Sequence, residues 1–96
     1  MRAEKLTSTI AGWKVSGQSV APTGATLVEF EHGAHMALAS AAPPDFPIGK
    51  KVHAAKQTGS SLHIEFEDGT VVPVALAGPT SSVQVEDENG KLVYMD

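Results

Sequence analysis

Four short blocks of this chain recur in the same order. Gly12-Trp13-Lys14-Val15 is matched by Gly49-Lys50-Lys51-Val52, and Thr23-Gly24-Ala25-Thr26-Leu27 by Thr58-Gly59-Ser60-Ser61-Leu62. Glu29-Phe30-Glu31-His32-Gly33-Ala34 is matched by Glu65-Phe66-Glu67-Asp68-Gly69-Thr70, and Ala37-Leu38-Ala39 by Ala75-Leu76-Ala77. Thirteen of these eighteen positions are identical, and the offset drifts between 35 and 38. Strand and turn chemistry uses a small alphabet, so unrelated hairpins converge on similar residues, but the retained order favours an internal duplication. A unit of ~37 residues is too short to enclose a core alone. The two copies, residues 12–39 and 49–77, are therefore expected to share one core within a single domain of 96 residues.

Each copy reads as a hairpin. Leu62-His63-Ile64-Glu65-Phe66-Glu67 alternates apolar and polar, Asp68-Gly69 is a turn signal, and Thr70 to Leu76 is again strand-like. Register decides the loop. A two-residue loop would set Glu65 against Val72, mixing charge with apolar groups on one face. A three-residue loop, Glu67-Asp68-Gly69, sets Phe66 against Thr70, Ile64 against Val72 and Leu62 against Val74, so all bulky apolar residues share a face. With Glu31-His32-Gly33 as loop, the first copy gives the same answer: Phe30 meets Ala34, Val28 meets Met36, Thr26 meets Leu38. Such a loop is a turn closing on a bulge, with Gly33 or Gly69 in the left-handed region. A third hairpin, residues 82–95, turns at Glu88-Asn89-Gly90 and is expected to pair Val85 with Val93 and Val83 with Met95.

Between the copies, residues 40–48 carry Pro43, Pro44 and Pro47, which excludes helix and central strand and predicts an extended connector tied down by Phe46. Pro73 confines its strand to an edge, or points its missing N–H away from any neighbour. No amphipathic helix is expected, beyond one turn near Arg2–Lys5. The expected fold is all-β: a small barrel of SH3-like or meander type, or a two-sheet sandwich, made of two repeated hairpin units around one core, with Val15 and Val52 flanking Phe30 and Phe66 and Trp13 covering one end.

Composition narrows the partners. The net charge is −4, and Lys50-Lys51 is the one adjacent basic pair, which argues against nucleic acid and against anionic membrane surfaces. With no cysteine, disulfides, thiol catalysis and Cys-ligated zinc are excluded. The first ten residues lack the apolar core of a secretory signal, and the cytoplasm is the default expectation.

The histidines are the residues with most chemical potential. His63, Glu65 and Glu67 alternate on one outward face; in the first copy Glu29 and Glu31 lie outward, with His35 opposite Glu29. Cross-strand neighbours sit ~4.5–5.5 Å apart, which suits an ion pair or shared metal ligation. His35, Glu29, His63 and Glu65 are therefore the metal-ligand candidates, although a solvated sheet face requires polar residues there in any case. His32 and His35 straddle a turn and could chelate without the helical spacing of a catalytic zinc motif. His53 reads as solvent-facing. Nucleophile elbows and phosphate-cradling glycine loops are absent, no cofactor motif appears, and the carboxylate pairs Glu29/Glu31 and Glu65/Glu67 lie on a convex face with no cleft to tune them. Residues 43–47 could serve a partner as a polyproline ligand, though a plain connector explains them. The expected function is a non-catalytic module that binds another protein or itself, as a homodimer formed by edge pairing. The alternatives are a metal- or small-molecule-binding protein using the outward His and Glu residues, and an enzyme whose site forms only at an oligomer interface.

Overall fold

The computed structural model describes residues 3–40, 44–78 and 82–95. A helix, α1 (Ala3–Ile10), leads into β1 (Val15–Val20), β2 (Thr26–Phe30) and β3 (His35–Leu38). After the connector come β4 (Val52–Thr58), β5 (Ser61–Phe66) and β6 (Val71–Ala75), then β7 (Val83–Glu86) and β8 (Leu92–Met95). The class is all-β. The strands form two antiparallel sheets, β1-β2-β3-β7-β8 and β4-β5-β6, stitched to each other by the bridges Lys14–Lys51 and Ser40–Leu76. The buried side chains of both sheets, Phe30 and Phe66 with Val15 and Val52 among them, gather into one hydrophobic cluster. Trp13 packs at its margin, edge-on to Phe30 with ring centroids 5.1 Å apart.

The first two hairpins take the register that their apolar faces demand. Thr26 pairs with Leu38 and Val28 with Met36; Leu62 pairs with Val74 and Ile64 with Val72. Gly33 and Gly69 close the loops at φ 95° and 92°, each donating its N–H to the phenylalanine carbonyl three residues earlier. Only glycine adopts that region without strain, and asparagine comes next. Gly69→Val is expected to cost about 1 kcal/mol or more, and Gly69→Asn clearly less. Gly33→Val should cost more than Gly69→Val, because a Cβ at Gly33 would stand 3.3 Å from the Glu88 Cβ, whereas nothing lies within 4 Å of one at Gly69. Urea midpoints of the variants check this order, and equal midpoints for Val and Asn at position 69 would remove the loop assignment.

The third hairpin corrects its expected register. Val85 faces Tyr94, not Val93, and Met95 faces Gln84, not Val83, because the pairing slips between Val85 and Glu86. The extra residue, Val93, turns Tyr94 inward, where it is buried beside Val85. An aromatic ring has more surface to bury than a valine, and the bulge is the device that re-aims it.

The two three-stranded units, β1–β3 and β4–β6, meet through reciprocal hydrogen bonds. The Gly12 N–H donates to the Val52 carbonyl and the Gly49 N–H to the Val15 carbonyl; Val52 donates to Trp13 and Val15 to Lys50; within each unit, Glu31 donates to Lys14 and Glu67 to Lys51. β1 and β4 carry a bulge at the corresponding place, before Gly17 and before Ala54. Strand pairing also corrects the sequence match. Ala21 bonds Ala25 across a three-residue loop, whereas Thr58 pairs with Ser61 across two residues, so the offset falls from 37 before the loop to 36 after it. The Gly12 and Glu29 blocks keep equivalent positions with their counterparts. The other two do not: Leu62 stands where Thr26 does, and Ala75 stands where Ala39 does. Strand register does not support those two matches.

α1 is longer than the single turn expected, and it is amphipathic. Leu6 and Ile10, four residues apart, are both 0% exposed, while Glu4, Lys5 and Ser8 face water. The helix lies along the free edge of β4, where the Thr7 hydroxyl donates to the Ala55 carbonyl (3.0 Å) and accepts from the Ala55 N–H (2.8 Å). The connector does the corresponding work on β1. Gln18 donates through its Nε2 to the Pro44 carbonyl and accepts the Phe46 N–H at Oε1 (2.9 Å). Phe46 is buried as expected, its ring 6.4 Å from that of Phe66. Residues 41–43 of the connector, and with them Pro43 of the polyproline reading, lie outside the described residues.

Candidate functional site

Hydrogen-bonded registers carry rows of side chains across the outer face of the five-stranded sheet. One row runs Gly17, Glu29, His35, Glu86, Leu92. The next runs Ser19, Leu27, Ala37, Gln84, Met95. The first row carries charge and the second has none. Five strands at the usual spacing make each row about 19 Å long. Both rows end on β8, where Leu92 is 44% and Met95 61% exposed, and Val93 beside them is exposed as well. The Gln84 amide approaches the Met95 sulfur at 3.7 Å.

The metal candidates fall into different surroundings. Glu29 and His35 are directly opposite, as their sequence positions require, but the His35 Nε2 lies 2.6 Å from the Glu86 Oε1 on its other side. Glu86 was not among the sequence candidates. Its alternation with Val83 and Val85 marks it as outward, but only the neighbourhood of β3 and β7, a long-range fact, brings it to His35. His63 has Lys56 and Pro73 as cross-strand neighbours, and Glu65 is paired with Lys56 at 3.1 Å. His32 has partners of its own: its ring stacks edge-on against Trp13 with centroids 4.5 Å apart, and its Nε2 lies 4.0 Å from the Glu88 Oε2. His53 sits exposed at the bulge of β4. Among the described residues no three His, Asp or Glu side chains are placed to hold a metal ion.

Among the described residues one carboxylate is clearly perturbed. The Lys50 ammonium, 2.8 Å from Asp68, and the backbone N–H of Thr70 hold the Asp68 carboxyl well below the usual carboxylate range. This is a surface ion pair that fastens a hairpin tip. A groove of about 580 Å³ runs between α1 and β4, with Glu4, Thr7, Ala54, Lys56 and Thr58 among its walls. Its two charged walls have opposite sign, and Lys56 is already engaged by Glu65. Neither place assembles a nucleophile with a base; the outer sheet face carries the uncharged row, which ends on the exposed apolar residues of β8. Among the described residues no helix is long and apolar enough to cross a membrane. In comparisons with known proteins, no family model matches the chain, no curated protein is found similar to it, and no solved structure is found similar to its fold.

Proposed function

We propose that this chain is a non-catalytic docking module that receives a partner protein on the outer face of its five-stranded sheet. The observation that carries this reading is the uncharged row Ser19-Leu27-Ala37-Gln84-Met95, which crosses all five strands and opens on the exposed apolar residues of β8. Of the six large apolar side chains left exposed among the described residues, Leu92, Val93 and Met95 share this one four-residue strand. Clustered apolar exposure marks interaction surfaces, whereas scattered exposure carries no meaning. The flanking row supplies Glu29, and the chain is acidic overall, so the partner segment is an apolar stretch bordered by lysine or arginine.

The reading is tested with a photo-crosslinking residue placed at position 37, in the middle of the uncharged row, and at position 56, on the outer face of the other sheet. In cells of the source organism, position 37 should give one discrete adduct that position 56 does not give. Ala37→Glu combined with a crosslinker at position 95 should abolish it. Identical adducts from both faces, or none from position 37, would remove the docking surface.

A further inference from the structure

The edges of the two three-stranded units are treated differently, and the difference rests on one residue. In β3 the alternation of hydrogen bonds is set by Ala34, whose carbonyl accepts from Phe30, and by Ala39, whose N–H donates to the Ser82 carbonyl. The odd-numbered residues of β3 therefore turn their backbone groups toward β7, with Ala37 in the middle. In β6 the Thr70 carbonyl accepts from Phe66 and the Leu76 N–H donates to Ser60, so the even-numbered residues bond to β5. Val71, Pro73 and Ala75 turn theirs outward. By strand register Pro73 stands where Ala37 stands in the first unit. The edge centred on Ala37 takes a strand. Among the described residues, the edge centred on Pro73 pairs with nothing but the bridge from Leu76 to Ser40 beyond its end.

Pro44 of the connector lines one pocket with Pro73 and Ala75, and the strand otherwise has the features of a pairing edge. Val71, Pro73 and Ala75 also present their side chains on the outer face; all three are exposed, and none is charged. Antiparallel pairing of β6 with β6 of a second copy, about a twofold axis through residue 73, would set Val71 against Ala75 on both sides and residue 73 against itself. That arrangement is self-complementary, as a twofold interface must be. The central pair would exchange two N–H to carbonyl hydrogen bonds, and proline can donate neither.

We propose that the β6 edge is a pairing surface for a second copy of this chain, and that Pro73 keeps it shut. The inference is independent of the docking face, which lies on the other sheet. It also specifies the edge pairing expected from sequence: at β6, the native chain withholds it.

Sedimentation of Pro73→Ala against the native chain tests the proposal. Alanine is the residue at the equivalent position of β3, and it restores the N–H. Two recovered hydrogen bonds correspond to roughly a 30-fold gain in the association constant. The variant should therefore dimerise at concentrations where the native chain does not, and its Val71 and Ala75 amides should gain protection from exchange in the dimer. Adding Val71→Lys should return it to monomer by setting a charge into the new seam. Should the alanine variant fold poorly, Pro73→Thr offers the same donor on a residue suited to strands. A folded variant with the native sedimentation profile overturns the proposal. So does a dimer in which the Val71 and Ala75 amides stay unprotected, or a native chain whose amides at these positions become protected as its concentration rises.

Discussion

Phe66→Ala should lower the stability of the whole domain by about 3–5 kcal/mol, a large part of the roughly 5–15 kcal/mol typical of a folded protein. Phe66 is almost fully buried, it pairs with Val52 at the seam between the units, and its ring meets Phe46 of the connector. Removing it takes away packing from β4 and the connector at once, and the stiff sheets around it can close only part of the void. The decisive readout is cooperativity. Trp13 reports on the first unit, since its ring packs against Phe30, and far-UV circular dichroism reports on the entire chain. Because both units contribute to one hydrophobic cluster, urea should unfold Phe66→Ala in a single transition with both probes coincident at a lowered midpoint. A variant that loses half its dichroism while Trp13 stays native would show two separate cores, and the shared-core account would be lost. Phe30→Ala should behave alike, because Phe30 occupies the equivalent position with equal burial.

Such a prediction can be framed from sequence because hairpin register is a local property. A side-chain period of two leaves one choice of loop that gathers Leu62, Ile64, Phe66, Val72 and Val74 on a face, and the first hairpin repeats the same constraint with different residues. The third hairpin escapes the rule. There, the competition between Val93 and Tyr94 for the inward position depends on the space beneath the strand, and the bulge that resolves it leaves no mark in an alternating pattern. Two of the four block matches failed for a related reason. Ala37-Leu38-Ala39 and Ala75-Leu76-Ala77 are identical in letters, but one extra residue in the loop before β2 and the hairpin registers after it set Ala39 against Ala75 instead. Identity of short segments carries less information than the pairing that surrounds them.

Strand order was illegible, and the candidate site suffered most from that. Glu29 opposite His35 follows from one hairpin. Glu86 beside His35, and the uncharged row from Ser19 to Met95, require β7 to lie on β3, and no local signal says so. Pro73 was the exception among long-range features, because a residue without an N–H excludes the centre of a sheet wherever it appears. Its position facing out of the β6 edge is the stronger of the two arrangements that exclusion allowed.

Leu6→Ala is the second substitution expected to have a large effect, of about 2–5 kcal/mol, although α1 has the weakest sequence signal of any element. The reasons it was not expected as a helix are the reasons it needs its contacts. Eight residues are too few to hold a helix in water, and Thr7, Thr9 and Ile10 are β-branched, which lowers helix preference further. Ser8 and Thr9 bond back to the carbonyls of Glu4 and Lys5, which satisfies their hydroxyls without adding to the helix. What holds α1 is tertiary: Leu6 and Ile10 have no exposed surface, and the Thr7 hydroxyl serves both backbone groups of Ala55. Leu6→Ala should therefore melt the helix together with its seat on β4, and not merely weaken a surface turn. Hydrogen exchange separates the two cases. In the variant, amides of residues 6–10 should exchange close to the unfolded rate, and the Ala55 amide, deprived of Thr7, should follow them while the β2–β3 amides stay protected. Thr7→Val, which keeps the shape but leaves the Ala55 groups without their partner, should cost about 1–3 kcal/mol, and the exposed Lys5→Ala close to nothing. A Leu6→Ala variant as stable as Lys5→Ala would mean that β4 keeps its edge without α1, and that the core closes on strands alone.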